Sequence, residues 1–365
     1  MAVASQLATD YLQAHGGDLR AVADLVGVDY RSLLDFSVNT NPFGPPAAVL
    51  EFIKAPRPDV TRYPELQAES LLAALAAHLD ISPSSLLVGN GSAEILYWLC
   101  ARLKPARVLT LGPGFADYRR SAEGAGANVI EVLLDAQSDF AFERRRVDEA
   151  LDDADLAVIG RPNNPTGTLI DRNTLCEMIV ENTRTLWLID EAFIDFTDNG
   201  ESLIDIACDH KNLLVLRSLT KIYAIPNVRL GYLVGHPAVI AELARARAPW
   251  PLSQDQIEIG KAALSETGFA ASSRLRLVEE RTRLFEGLLT IPGLNPYPGA
   301  ANFILIRIEN DTWTGTELML ALARRGILIR NCASFSGLGQ NHIRVAVKDR
   351  DDNQALLSKL KGVYR

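Results

Sequence analysis

The chain of 365 residues is long enough for one large domain and one small domain, and its 48% hydrophobic and 22% charged residues are those of a globular protein. A net charge of −8 excludes a global positive field that would draw the protein to nucleic acid or to an anionic membrane. The four cysteines are scattered without a CxxC pair, which favours free thiols in a reducing cytosol over a disulfide framework or a zinc site.

The N-terminal sequence lacks a basic segment followed by an apolar run. No apolar run in the chain approaches the ~20 residues of a membrane helix. We therefore expect a soluble, cytoplasmic protein.

The first part of the chain contains several different predicted elements. Residues 5–26 have a helical pattern that His15 and two following glycines interrupt. An extended segment at 33–41 leads into a loop at 42–46, which its prolines stiffen. An amphipathic helix is predicted at 66–79.

From Leu86 onwards, short apolar strands alternate with helices. This alternation predicts an α/β domain with a mostly parallel sheet covered by helices, and we assign residues 46–250 to it. Ligands of such sheets lie outside the carboxyl ends of the strands. The predicted strands are 86–88, 107–111, 129–133, 156–159, 186–189 and 213–216.

After about residue 245 the pattern changes. Helical stretches at 254–289 are broken near Gly268 and are followed by short strands and two further helices. This pattern predicts a second, smaller α+β domain at 251–365. Its predicted strands are 302–306, 327–329 and 342–347, and its later helices are 315–325 and 351–360.

Two loops with glycines follow the first two predicted strands. Gly89-Asn-Gly-Ser-Ala-Glu94 stands between a strand and a helix, where backbone N–H groups and the Ser92 hydroxyl can form a phosphate cradle. A plain turn is the alternative, since the segment is not a full GxGxxG. Phe115 leaves the next strand at the same edge, where its ring can stack on a flat cofactor or belong to the core.

Two polar side chains follow later strands at the same edge. The amide of Asn164 can donate to a phenolate oxygen. Asp190 directly follows an apolar strand, where a carboxylate is costly unless it has a partner. A pyridinium nitrogen is such a partner, and the pair keeps the ring protonated. The alternative is a metal site of Asp190, Glu191 and Asp195, which is weaker because no histidine lies nearby in the sequence.

Lys221 lies just past the last predicted strand of the large domain, with Ser218 and Thr220 before it and Arg229 after it. A lysine must lose its proton to attack an aldehyde, and nearby cations lower its pKa. The segment therefore predicts a Schiff-base lysine for an aldehyde cofactor. It also fits SxxK, but the SDN and KTG segments that serine acyl transfer needs do not occur.

Two arginines lie at or in predicted strands of the small domain. Arg330 and Arg344 carry the side chain best suited to bind carboxylate and phosphate in a bidentate manner. Either arginine alone would be interpreted as an ordinary surface residue. Two from adjacent strands indicate an anionic substrate with two acidic groups.

Taken together, these residues resemble the fold-type-I pyridoxal-phosphate enzymes of the aminotransferase class I/II superfamily. The ordered set is Gly91-Ser92, Phe115, Asn164-Pro-Thr-Gly167, Asp190, Ser218-x-x-Lys221, Arg229 and Arg344. Within the superfamily the chain is similar to the histidinol-phosphate aminotransferases and, more closely, to the threonine-phosphate decarboxylases of cobalamin biosynthesis. The closer likeness is carried by His15-Gly-Gly17 and by the segments at 34–42, 190–196, 216–226, 249–251 and 327–332.

The resemblance implies the cofactor, pyridoxal 5'-phosphate, and a role for each cofactor-binding residue. Lys221 forms the Schiff base and moves the proton, Asp190 holds the pyridine nitrogen, and Asn164 holds the ring oxygen. Phe115 stacks on the ring. The cofactor phosphate is held by Gly91, Ser92, Ser218 and Arg229, with Tyr63 from the other subunit of a homodimer.

The resemblance also implies how the substrate binds. Arg344 binds the α-carboxylate, while Arg330, together with His15 and Asn39, meets the substrate phosphate or closes over it. Residues 1–45 then form an arm that contributes to the small domain and to a lid over the site.

Two departures from the aminotransferases concern the cofactor site. Phe193 stands where they commonly carry a tyrosine that donates to the ring oxygen, and Ala93 replaces a threonine that is frequent in the phosphate loop. Both positions remain expected cofactor contacts.

The implied reaction is decarboxylation of L-threonine O-3-phosphate, and the alternative is amino transfer, as in histidinol-phosphate aminotransferase. A cofactor-binding regulator is a third possibility. It is disfavoured because Lys221 is retained and no basic DNA-binding helix stands in the sequence.

Overall fold

The computed structural model describes residues 17–56, 60–198, 201–309 and 312–364, so His15 lies outside the described residues. The strands, numbered in chain order, are β1 (Leu34–Asp35), β2 (Leu86–Gly89), β3 (Arg107–Gly112), β4 (Asn128–Leu133), β5 (Leu156–Gly160), β6 (Leu186–Asp190), β7 (Leu213–Ser218), β8 (Gly231–Gly235), β9 (Leu294–Pro296), β10 (Phe303–Ile308), β11 (Ile327–Leu328), β12 (Arg330–Asn331) and β13 (His342–Ala346).

The described α-helices alternate with the strands from β2 to β8, and the two longest of them lie after residue 253. Two of the later ones begin at capping boxes, Ser253 with Gln256 and Thr314 with Glu317. The helices span Leu19–Val26, Ala47–Lys54, Glu69–Leu79, Ser92–Leu103, Ala116–Gly124, Arg144–Leu151, Arg172–Glu181, Ile204–Asp209, Leu219–Ile222, Pro237–Arg245, Gln254–Ser265, Phe269–Leu289, Gly315–Ala323 and Arg350–Val363.

A seven-stranded sheet in the order β2-β8-β7-β6-β5-β3-β4 forms the centre of the described chain. The pairs among β3 to β7 are parallel, while β8 runs antiparallel to β2 and β7. The residues of β5 and β7 are all buried, as is typical of a parallel sheet with helices on both faces. The mostly parallel sheet is therefore confirmed.

The strand β8 is not among the predicted strands. It reads Gly-Tyr-Leu-Val-Gly, so only three residues with side chains stand between two glycines. Such a short apolar run carries too little periodicity to be assigned from sequence. Its position matters, because β8 brings Gly231 beside Ser218 at the end of β7.

The sheet order sets the carboxyl ends of β5, β6 and β7 side by side. In the register, Gly160 pairs with Asp190, and Asp190 pairs with Leu216. Loops that follow these strands therefore meet at one edge, where ligands of parallel sheets bind.

Glu191, next to Asp190, belongs to a buried ion-pair cluster. Its carboxylate lies 3.4 Å from a guanidinium nitrogen of Arg161 and 3.4 Å from one of Arg217. Arg217 also pairs with Asp195 at 2.7 Å. Arginines thus compensate Glu191 and Asp195, and among the described residues no group of three or more side chains is arranged to hold a metal ion.

A smaller antiparallel sheet, in the order β12-β13-β10-β9, lies in the last third of the chain. The N-terminal arm joins this region, because β1 pairs in parallel with β11 and the N–H of Ala346 donates to the carbonyl of Phe36. The helical stretch at 254–289 is broken at Gly268, whose φ of +88° suits a glycine. The boundaries at residues 45 and 250 stay predictions.

The strand β9 is also not predicted from the sequence, because it has only three residues and ends in a proline, which edge strands tolerate.

The four cysteines, all in the described residues, are free thiols. In the described part of the chain, no helix is both long and apolar enough to cross a bilayer.

Candidate active site

Two cavities share part of their lining at the carboxyl edge of the seven-stranded sheet. We call the cavity of about 140 Å³ that contains Asp190 the inner cavity, and the cavity of about 700 Å³ that contains Arg330 and Arg344 the outer cavity. Both are lined by Ala93, Phe115, Asn164, Phe193, Lys221 and Arg229. Most of the predicted site residues are therefore brought together.

Lys221 lies on the short helix that directly follows β7, as the sequence predicts. Burial, reinforced by the charges of Arg229 and Arg344, lowers the pKa of Lys221 to about 8, while the charge of Asp190 opposes this shift. Its carbonyl accepts from the N–H of Asn41 at 2.9 Å, so the arm lies directly against the lysine. A large neutral fraction near neutral pH is what a nucleophilic lysine needs.

Asp190 is the last residue of β6 and points into the inner cavity. Its carboxylate accepts from the Tyr118 hydroxyl at 2.9 Å and from the Ala192 N–H at 2.9 Å. Burial raises the pKa of Asp190, and these two hydrogen bonds and the charge of Lys221 oppose the increase. A buried carboxylate held in this way is suited to pair with a cationic ring nitrogen.

The hydroxyl of Tyr118 is a contact that the sequence analysis missed. Tyr118 belongs to the loop-helix motif that contains Phe115, three positions further on, where one helical turn brings it to the same side of the helix. The two rings meet edge to face with centroids 5.5 Å apart. The spacing from Phe115 is the only signal for Tyr118 in the sequence.

A cradle of backbone and side-chain donors forms one end of the inner cavity. The helix Ser92–Leu103 has Gly91 at its N-cap with no side-chain cap, which leaves its first N–H groups available to an anion. Ser218 and Thr220 share a hydrogen bond of 2.8 Å beside it, and Arg229 also lines the cavity. This set of donors fits a phosphate group.

Two glycines keep this cradle open. A Cβ on Gly91, whose φ is +91°, would lie 2.8 Å from Nη2 of Arg229. A Cβ on Gly231, in β8, would lie 2.3 Å from the backbone nitrogen of Ser92. Any side chain at either position would displace a group that is predicted to bind phosphate.

Arg330 and Arg344 face each other as register partners on β12 and β13. Arg344 donates to the carbonyl of Ser37 at 2.9 Å and to the side-chain oxygen of Asn164. Burial lowers the pKa of Arg344 to about 10, which keeps it charged at neutral pH. Arg330 donates to the Ser334 hydroxyl at 3.1 Å, and burial lowers its pKa as well.

Asn39 is buried beside Arg344 and lines the outer cavity. With its amide oxygen towards the guanidinium, it accepts from the two Arg344 nitrogens at 3.1 and 3.2 Å. The arm therefore contacts the arginine that is predicted to bind the carboxylate. The predicted contact of Asn39 with the substrate phosphate stays a prediction.

Tyr63 lies apart from these residues. Its side chain is 80% exposed and its ring stacks on Trp250 at 4.5 Å, and it is not among the described residues that line the two cavities. The predicted role of Tyr63 requires a second copy of the chain and stays a prediction.

The lowered pKa of Lys221 predicts how its reactivity depends on pH. In the enzyme without bound cofactor, the neutral amine is the nucleophile, so its acetylation by limiting acetic anhydride should rise with pH to a half-maximum near 8. At pH 7 its neutral fraction is on the order of 100-fold larger than that of an ordinary lysine. Removing a neighbouring charge in Arg344→Met should move the midpoint to higher pH. A wild-type midpoint near that of an ordinary lysine would contradict this electrostatic account.

Comparison with known proteins identifies the family. The model of the family "Aminotransferase class I and II" matches residues 31–360. The chain is 35% identical to the threonine-phosphate decarboxylase of Salmonella typhimurium, with 96% of each chain covered. It is 32% identical to the histidinol-phosphate aminotransferase of Roseiflexus castenholzii, over 94% of this chain and 93% of that one.

The solved structures agree with this assignment of the fold. Histidinol-phosphate aminotransferase from Sinorhizobium meliloti, solved in complex with pyridoxal-5'-phosphate, superposes with a TM-score of 0.86 at 23% identity, covering 96% of this chain and 95% of that one. The cradle, the buried Asp190 and the neighbouring Lys221 meet the needs of that cofactor's phosphate, ring nitrogen and aldehyde. The chain therefore belongs to the aminotransferase class I and II family and is a pyridoxal-phosphate-dependent enzyme of the fold-type-I class.

Proposed function

We propose that this enzyme decarboxylates L-threonine O-3-phosphate to (R)-1-amino-2-propanol O-2-phosphate, the precursor of the aminopropanol linker of cobalamin. The observation that carries the proposal is the pair of buried arginines, Arg330 and Arg344, in the cavity that also contains Lys221. The relative that is 35% identical is a threonine-phosphate decarboxylase, which supports the same substrate.

The charges of the outer cavity match such a substrate. Two guanidinium groups on paired strand positions repel each other, and Arg330 contributes to the lowered pKa of Arg344. Burying both is costly unless anions compensate them. A ligand with one carboxylate and one phosphate supplies an anion to each arginine and leaves its amine free to approach Lys221.

In the proposed reaction, bound pyridoxal phosphate supplies an electron sink for the electron pair that remains on Cα. The Asp190 carboxylate, which accepts a hydrogen bond from Tyr118, stabilises a positive charge at the ring nitrogen. Arg344 holds the carboxylate until the bond from Cα to the carboxyl carbon breaks and CO₂ leaves. Lys221 is placed to deliver the proton that Cα then takes up.

Amino transfer is the second candidate, because a relative that is 32% identical is a histidinol-phosphate aminotransferase. Histidinol phosphate carries a phosphate but no carboxylate. Histidinol phosphate needs only one anion site, but its amino acceptor 2-oxoglutarate has two carboxylates that could occupy both. The arginine pair therefore fits the substrates of either reaction, and the relative of higher identity favours decarboxylation. The outcome depends on which Cα substituent stands perpendicular to the cofactor ring, a positioning effect that is worth about 100-fold in rate.

We predict that the enzyme with its cofactor releases one CO₂ for each O-phospho-L-threonine consumed and forms the amino alcohol phosphate. Arg344→Met should lower kcat/KM about 100-fold, because the carboxylate loses its ligand. Arg307→Met is the matched control, since this exposed arginine lies on the neighbouring strand β10. CO₂ can be trapped and the amine product identified by mass spectrometry.

One result would contradict the proposal directly. If the enzyme released no CO₂ from O-phospho-L-threonine but transferred an amino group from histidinol phosphate to 2-oxoglutarate, the aminotransferase assignment would replace it.

We also propose that the active enzyme is a homodimer in which Tyr63 of one copy reaches the phosphate cradle of the other. The support is the exposure of Tyr63 at 80%, beside Val60 at 91% and Leu66 at 49%, an apolar surface that suits a partner.

Co-expression of Lys221→Ala and Tyr63→Ala chains tests this arrangement. A mixed dimer contains one site with both residues intact only if Tyr63 acts across the interface, so activity should recover to about a quarter of wild type. The Lys221→Ala and Tyr63→Ala homodimers are the baselines. Mixed dimers, verified by two affinity tags, with no activity above these baselines would show that Tyr63 does not act across the interface.

A further inference from the structure

The loop at residues 332–338 links Arg330 to the seven-stranded sheet. It follows β12, which carries Arg330, and leaves the smaller sheet. Phe335 and Leu338 from this loop pack in one buried cluster with Leu134 and Phe140, which follow β4. The loop is therefore anchored by apolar contacts to the part of the chain that holds the cofactor cradle.

A hydrogen bond also holds the loop against the seven-stranded sheet. The hydroxyl of Ser336 donates to a carboxylate oxygen of Glu131, in β4, at 2.6 Å. The same oxygen accepts from Arg119 at 3.0 Å, which fixes the carboxylate from the other side. A Cβ on Gly112 would lie 2.8 Å from the Glu131 carboxyl carbon, so the glycine leaves room for this side chain.

Two side chains of the loop contact Arg330. The guanidinium donates to the hydroxyl of Ser334 at 3.1 Å. Its central carbon lies 5.6 Å from the centroid of the Phe335 ring, within the range of a cation–π contact. Phe335 and Arg330 both line the outer cavity. A shift of the loop would therefore change the direction of Arg330.

We propose that Glu131 and Ser336 are positioning residues for the substrate phosphate. They hold the loop so that Ser334 and Phe335 direct Arg330 into the outer cavity. This inference rests on the proposed function in one respect, that the ligand of Arg330 is the phosphate of an amine substrate. Substrate selection then depends in part on the hydrogen bond between Ser336 and Glu131, which lies outside the cofactor cradle.

Binding of O-phospho-L-threonine to the enzyme with its cofactor tests the proposal. Because the proposed reaction consumes this ligand, binding is measured after rapid mixing, by the change in cofactor absorbance that precedes CO₂ release. Ser336→Ala should raise the Kd about tenfold, the usual effect of one hydrogen bond to a charged group. Affinity for pyridoxal phosphate and for unphosphorylated L-threonine should not change. Ser336→Thr, which keeps the hydroxyl, should restore binding. Ser265→Ala is the control, because that exposed hydroxyl donates to the carbonyl of Ala262 in its own helix.

A double-mutant cycle with Arg330→Met separates positioning from a structural role. If Ser336 acts through Arg330, Ser336→Ala should add nothing in the Arg330→Met background. Glu131→Gln, which retains an acceptor for both donors, should bind more tightly than Glu131→Ala. Equal losses for threonine and phosphothreonine, or full additivity with Arg330→Met, would overturn the proposal.

Failure of the proposed function gives a different pattern. If wild-type enzyme does not bind phosphothreonine, the decarboxylase assignment fails, and the same cycle is run with histidinol phosphate. If Ser336 and Arg330 are coupled in the binding of histidinol phosphate, the positioning role is supported. If they are not coupled, the positioning role is overturned.

Discussion

The charge balance around Lys221 is the constraint on which the rest of the site depends. Three cationic side chains, Lys221, Arg229 and Arg344, are close enough to interact, and the burial of Lys221 and Arg344 adds to the cost of their charges. Asp190 offsets part of that cost. Burial, together with this charge imbalance, lowers the pKa of the lysine, and the imbalance makes anions favourable in both cavities. The same positive charge thus favours a nucleophilic lysine and suits the phosphorylated substrate that we propose.

The sheet makes this arrangement possible. Parallel strands bring the ends of β5, β6 and β7 to one edge, and the antiparallel β8 returns Gly231 to the phosphate cradle. The N-terminal arm then contacts Lys221 through Asn41 and Arg344 through Asn39. The residues of the second sheet that are predicted to bind the substrate therefore line the same cavity as residues predicted to bind the cofactor.

Much of the fold could be predicted from sequence, because apolar strands that are bounded by turns and alternate with helices carry a strong local signal. Lys221 and Asp190 could be found because each follows such a strand. The role of Tyr118 could not, since its bond to Asp190 joins residues 72 positions apart. The bond between Arg344 and Asn164 spans 180 positions and is equally invisible to local patterns. The strand β8 was missed because three apolar residues between glycines show no periodicity.

The most direct test of the account locates the lysine that anchors the cofactor. Borohydride reduction of the enzyme with pyridoxal phosphate, followed by peptide mass mapping, should place the reduced cofactor on Nζ of Lys221. Lys221→Ala should carry no such label. A label on another lysine of the wild-type enzyme, or labelling that persists in Lys221→Ala, would contradict the assignment of the inner cavity as the cofactor site.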